Sequence, residues 1–218
     1  MLVLVFDTET TGIIPNNAVN FEDFPHIVQL SFILYDSISK IMIECCDFII
    51  NCKDDFKIPI ESTNVHGITE EISRTKGTSI KKALQKFYDI LRKANYLVAH
   101  NLDFDDKMIK VEFMRLGIDG EMLMSDKNLN RLEKYCTMKH SRNLCKILMK
   151  SKKGKMFYKN PKQSELHEHL FGTTPENLHN SLNDILVCLR CFVKMKFTID
   201  VCDHNKEIKK MIFSKLNV

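Results

Sequence analysis

The chain has 218 residues, 44% of them apolar and 28% charged, with 7 Gly and 5 Pro. That length suits one α/β domain, and that composition excludes a disordered, collagen-like or low-complexity chain. The net charge of +4 is unevenly spread: ten Lys or Arg and no Asp or Glu lie between Lys134 and Ser164, leaving the rest of the chain net negative.

Leu2 to Phe6 is a continuous apolar run rich in branched residues, which predicts a central strand buried on both faces. It lacks a basic leader, and no later apolar stretch approaches the ~18 residues that span a bilayer, so neither export nor membrane insertion is expected. Reduced thiols are accordingly expected for the eight cysteines. Ile27 to Tyr35 and Ile41 to Ile50 read as an antiparallel hairpin beside the first strand. Thr78 to Ala94 carries Ile80, Ala83, Leu84, Phe87 and Leu91 at helical spacing, with Thr78 or Ser79 available as N-cap.

Tyr96 to Ala99 is a short strand opening into a helix from Asp105 to Leu116, which Gly117 ends. The Lys-rich stretch up to Pro161 reads as irregular, followed by a short helix from Ser164 to Phe171 closed by Gly172. A strong helix is predicted from Ser181 to Lys194, then a strand plus a basic tail helix within Phe197 to Val218. Three antiparallel strands followed by alternating strand and helix point to an α/β mixed sheet with helices on both faces.

Asp7 and Glu9 lie two apart on a strand, so their carboxylates leave the same face at the end of a buried run. Such a pair is tolerable when a cation neutralises it, and hard oxygen ligands suit Mg²⁺ or Mn²⁺. Thr10, Thr11 and Gly12 then offer a turn with exposed backbone donors, as a phosphate-binding edge needs. A third acidic cluster, Asp103, Asp105 and Asp106, opens the helix after Ala99, where acids also serve as caps and dipole partners, so spacing does not choose among the three.

His179 and Asp184 would sit roughly 140° apart if both were helical. With Asn180 or Ser181 as N-cap, however, His179 falls on the entering loop and Asp184 in the first turn, and both can address one spot. A mobile His suits proton transfer, and a fixed Asp suits holding metal. Cys188 and Cys191 fall on the Asp184 side of this helix as small fillers. The basic segment could hold a nucleic-acid backbone by charge alone.

Phe6-Asp7-Thr8-Glu9-Thr10-Thr11-Gly12, His66-Gly67-Ile68-Thr69, His100-Asn101 with Phe104-Asp105, and His179 five before Asp184 occur in that order. Together they resemble the DEDD exonuclease superfamily, in its DnaQ-like proofreading branch, over about residues 1–195. Asn rather than Tyr at 180, with His at 179, resembles the histidine subclass, and short stand-alone viral and phage exonucleases are similar. The resemblance implies a ribonuclease H-like fold with a five-stranded mixed sheet. It also implies an exonuclease domain over 1–195 with a C-terminal extension over 196–218.

For the site, the resemblance implies two Mg²⁺ or Mn²⁺ ions held by Asp7, Glu9, Asp105 and Asp184, with His179 as general base. Thr8, Thr10, Gly12, His66, Asn101 and Phe104 are then expected to hold substrate. The implied reaction removes 5′-mononucleotides from a single-stranded or frayed 3′ end, of DNA in preference to RNA, with a polymerase or replication partner. The implied location is cytoplasm, nucleus or viral factory, with no membrane. The sequence departs from the pattern at Tyr135-Cys136-Thr137-Met138, where many relatives carry an Asp-Thr pair, and in the Lys-rich insertion that follows. The alternative is a non-catalytic nucleic-acid-binding or polymerase-accessory module on the same fold.

Overall fold

Strand β1 (Leu2–Thr10) lies at the centre of a five-stranded sheet in the computed structural model, which describes residues 1–53, 55–118, 129 and 131–218. Its neighbours are β2 (Ile27–Asp36), antiparallel, and β4 (Tyr96–Ala99), parallel. Strand β3 (Ile41–Ile49) pairs antiparallel with β2, and β5 (Glu133–Cys136) pairs parallel with β4, giving the order β3-β2-β1-β4-β5.

The unbroken apolar run of β1 follows from burial on both sides. Val3 and Val5 join Ile33, Tyr35 and Val98 beneath the long helix Ser181–Phe197, while Leu4 and Phe6 join Phe32, Leu34 and Leu97 on the opposite face. There the helices Ile80–Leu91 and Leu102–Arg115 cover them, inserting Leu84, Phe87, Met108, Ile109 and Phe113. Each such fully buried side chain contributes roughly 1.5–3 kcal/mol. Among the described residues the α-helices are, in chain order, α1 (Ile60–His66), α2 (Glu70–Lys76), α3 (Ile80–Leu91), α4 (Leu102–Arg115), α5 (Thr137–Cys145), α6 (Gln163–Phe171), α7 (Ser181–Phe197), α8 (Val201–His204) and α9 (Lys206–Leu216).

Two expectations are corrected. The Lys-rich stretch is ordered, not irregular: it supplies β5, α5 and a separate antiparallel hairpin of β6 (Leu148–Lys150) and β7 (Met156–Tyr158). Its three strands have only three or four residues each, β6 and β7 with mainly exposed side chains, and are too short to show a period. The second correction is at the C-terminus, where two helices replace the expected strand. Asp200 and Asn205 accept from Cys202 N and Ile208 N and so start helices, and Ile208, Ile212 and Leu216 then form one buried stripe in the α7 cluster. Among the described residues no helix is long and apolar enough to cross a membrane.

Candidate active site

Asp7 and Glu9 leave β1 on the α7 side, the face that Val3 and Val5 bury further back along the strand. Directly across on β2 stand Ser31 and Gln29. These two fix the start of α7, because the Ser181 hydroxyl donates to Ser31 Oγ at 2.5 Å and the Ser181 N–H donates to Gln29 Oε1 at 3.2 Å. The first turn of α7 therefore overhangs the acids of β1. Asn180 is the N-cap, and Asp184 Oδ2 accepts the His179 N–H at 2.9 Å. One carboxylate oxygen each from Asp7, Glu9 and Asp184 lies within 4.8 Å of the others.

Asp105 does not join that trio within this distance but lines the same cleft, of about 440 Å³, with Asn101, Phe104, Gln163 and His179. Asn101 turns the chain from β4 into α4 through a left-handed conformation, φ 75°. Asp105 is then 3% exposed, its Oδ1 accepting from Thr8 N at 3.1 Å and Thr8 Oγ1 at 2.8 Å. The other two acids of this helix start point away, Asp103 to Lys139 and Asp106 to Lys134.

An adjoining cleft of about 460 Å³ shares Thr8, Glu9 and Phe104 and adds Thr10, Gly12 and His66. The expected exposed donors of the Thr10–Gly12 turn are partly spent: the Thr11 N–H donates to the His26 carbonyl and the Thr10 hydroxyl to the Gly12 carbonyl. The chain needs these bonds to leave β1 without orphaned polar groups. His66 is buried, accepting the Ile68 N–H at Nδ1. Every predicted site residue thus lies along these two joined clefts.

Burial, followed by the charges of Asp105, Asp184 and Glu9, holds the Asp7 carboxyl well above the usual carboxylate range. Burial and the charges of Asp184 and Asp105 push Glu9 up to about 8. Asp105 and Asp184 are raised chiefly by burial, against the lowering effect of the Thr8 bonds on one and the His179 and Asn180 backbone bonds on the other. Four crowded acids that resist ionisation are the donor set a hard divalent cation stabilises, so the residues fit Mg²⁺ or Mn²⁺. His179, by contrast, is exposed at φ 66° on the loop before α7. Cys188 is buried behind the acids, close enough to Asp7 to feel its charge.

Sequence reasoning missed two supporting residues. Gln163 Nε2 donates to the Asp184 carbonyl at 2.7 Å, tying α6 to α7 at the cleft. His100 bridges Thr137 Oγ1 at 3.0 Å and the Pro161 carbonyl at 3.2 Å, and burial lowers it to about 4, so it is neutral. His100 stood within a recognised motif, but nothing marked Gln163.

A mixed sheet with acids converging from the central strand and two flanking helices defines a ribonuclease H-like domain of the DEDD exonuclease superfamily. A model of the RNase T exonuclease family matches residues 4–192, and the chain belongs to that family. It is 32% identical over 114 residues to a DNA polymerase III subunit epsilon-like protein of Rhodobacter capsulatus, covering 52% of this chain and 15% of that protein. It is 34% identical over 129 residues to a PolC-type DNA polymerase III of Mycoplasmopsis pulmonis, covering 58% and 8%. The chain therefore spans only a small part of these relatives.

The fold is similar to that of E. coli Exonuclease I in complex with a dT13 oligonucleotide, at TM-score 0.68 and 18% identity over 96% of this chain and 45% of that one. A zinc-bound form of the E. coli ExoI–ssDNA complex aligns at TM-score 0.66 and 17% identity, over 98% and 43%.

Proposed function

We propose that this chain is a metal-dependent 3′–5′ exonuclease that releases 5′-mononucleotides, acting on single-stranded or frayed DNA ends in preference to RNA. The observation that carries this reading is the approach of Asp7, Glu9 and Asp184 to within 4.8 Å, with Asp105 in the same cleft. The DNA preference is supported by the oligodeoxynucleotide bound to Exonuclease I and by the polymerase III relatives, which also suggest a replication partner. A cytoplasmic, nuclear or viral-factory setting, and a division into a domain over 1–195 and an extension over 196–218, belong to the same reading.

Asp7, Glu9, Asp105 and Asp184 would hold two Mg²⁺ or Mn²⁺ ions. Such ions, when bound, supply Lewis acidity to the scissile phosphate and lower the pKa of water. His179, solvent-accessible beside Asp184, would take the proton of the attacking water on an imidazole nitrogen. Thr8 fixes the Asp105 carboxylate, and Gln163 braces the first turn of α7. Phe104, shared by both clefts, offers a face for the terminal base, and Thr10, Gly12, His66 and Asn101 line the remaining walls.

The test is an oligonucleotide labelled at its 5′ end in one sample and its 3′ end in another, as DNA and as RNA, incubated with Mg²⁺, Mn²⁺ or chelator. The expected result is a ladder shortening from the 3′ end, faster on DNA, with labelled mononucleotide released at once from the 3′-labelled strand. Intact strands with every divalent ion overturn the catalytic reading and favour a non-catalytic binding module.

A further inference from the structure

The β6–β7 hairpin projects with both faces exposed. Leu148 pairs with Tyr158 and Lys150 with Met156 across it, and Leu148, Met149, Met156 and Tyr158 are 58, 47, 50 and 39% exposed. A two-stranded ribbon with uncovered apolar side chains is marginal alone and marks a surface that something else covers. Its turn, Ser-Lys-Lys-Gly-Lys over residues 151–155, is closed by the Ser151 N–H on the Lys155 carbonyl and by Gly154 at φ 82°, so it presents Lys152, Lys153 and Lys155 outward. Lys146 and Lys150 extend the same charge, and no acid lies between Lys134 and Ser164 to oppose it.

The base of this hairpin is fastened to the catalytic cleft. Arg142 Nε donates to the Tyr158 carbonyl at 2.6 Å, and Lys159 pairs with Glu165 on α6. His100, which lines the cleft, holds the Pro161 carbonyl, and Lys162 and Gln163 are themselves cleft walls. Three residues of β7 therefore lead, after a further three, straight to the rim where the acids gather.

We propose that the hairpin Leu148 to Tyr158 is the grip for the single strand behind the scissile end, its lysines holding successive phosphates while Tyr158 and its apolar neighbours take up bases. Interleaved cations and an aromatic are the chemistry of sequence-independent single-strand binding, and the clustered lysines do not suit an apolar partner that carries no negative charge. This inference rests on the exonuclease reading for the direction of the strand, but not for the binding itself.

The experiment measures Kd for a fluorescent 20-nucleotide single strand in chelator, between 50 and 200 mM salt. Its proteins are wild type, the triple variant Lys152→Ala/Lys153→Ala/Lys155→Ala, the matching triple Arg variant, and Tyr158→Ala. Each lost phosphate contact removes about 0.7 from the slope of log K on log salt, so over this range wild type should lose about 20-fold more affinity than the Ala triple. The Arg triple should keep the wild-type slope, and Tyr158→Ala should bind at least about fivefold more weakly with the slope unchanged. Equal slopes for wild type and the folded Ala triple overturn the grip and leave the apolar face to a protein partner. Cleavage by wild type with Mn²⁺ in the same preparation separates the two readings. A cleaving enzyme with equal slopes loses only the grip, whereas a non-cleaving protein with the expected slopes loses only the exonuclease.

Discussion

Thr8 donates both its backbone N–H and its hydroxyl to one oxygen of Asp105, at 3.1 and 2.8 Å. Because Thr8 sits between Asp7 and Glu9 on β1, the strand that presents two acids also aims a third from α4. Its side chain points to the opposite face of the sheet from theirs, where α4 packs.

Removing that hydroxyl should therefore harm catalysis more than folding. Thr8→Val keeps the shape and the backbone bond but loses the side-chain donor, and residues that orient metal ligands typically cost 10–100-fold when changed. We expect kcat/KM with Mn²⁺ to fall by about that factor, with a higher Mn²⁺ concentration needed for half-maximal rate. An unchanged metal titration would show that Asp105 needs no such support.

The acid cluster should make the metal-free protein less stable as pH rises. The pKa of each acid is higher folded than unfolded, so its stabilising contribution is complete below the unfolded value and is lost as pH rises through the folded one, about 8 for Glu9. Half-buried His26 and His100, each lowered to about 4, act oppositely, costing stability as pH falls below roughly 6.5. Denaturant unfolding in chelator should thus show a loss of about 1–3 kcal/mol between about pH 6.5 and 8. Glu9→Gln should reduce that loss, and divalent ion should reverse it. A flat wild-type profile over this window contradicts the electrostatic account.

His179→Asn tests the proton acceptor without disturbing the backbone, since Asn tolerates the left-handed φ of 66° that this position requires. The side chain is exposed, so stability should move by less than about 0.5 kcal/mol. Loss of general-base catalysis should lower kcat by about 10²–10⁴-fold with little change in KM. A kcat within twofold of wild type would remove His179 from the mechanism.

Gln163→Ala deletes the bond to the Asp184 carbonyl, a neutral hydrogen bond worth about 1 kcal/mol. We expect roughly a fivefold drop in kcat/KM, smaller than for Thr8→Val because the backbone of His179 still holds the Asp184 carboxylate. Kinetics of the two variants side by side check the order, and a larger effect for Gln163→Ala would reverse it.

Much of this site was legible because β1 states it directly: a five-residue buried run followed by acids two apart fixes both the strand and the face. The His179–Asp184 spacing was equally readable once a cap was placed between them, and the cap is Asn180. The choice of Asp105 was not readable from spacing, since all three acids open α4. Only the packed fold shows Asp103 and Asp106 turned to Lys139 and Lys134 while Asp105 meets Thr8. Strand β5 and the hairpin escaped because each shows too few residues to display a period and β5 begins with exposed Glu133 and Lys134. The tail expected to be part strand is helical because Asp200 and Asn205 act as caps, a signal present in the sequence but outweighed by the alternation of Phe197, Ile199 and Val201 with polar residues.

The most direct test of the central claim is a calorimetric titration of the metal-free protein with Mn²⁺, for wild type and for Asp7→Asn, at neutral pH. The account predicts saturable binding of two ions per chain to wild type, with release of protons from the raised acids, and the loss of at least one ion from the variant. No saturable binding to wild type, or identical isotherms for the two proteins, would contradict it.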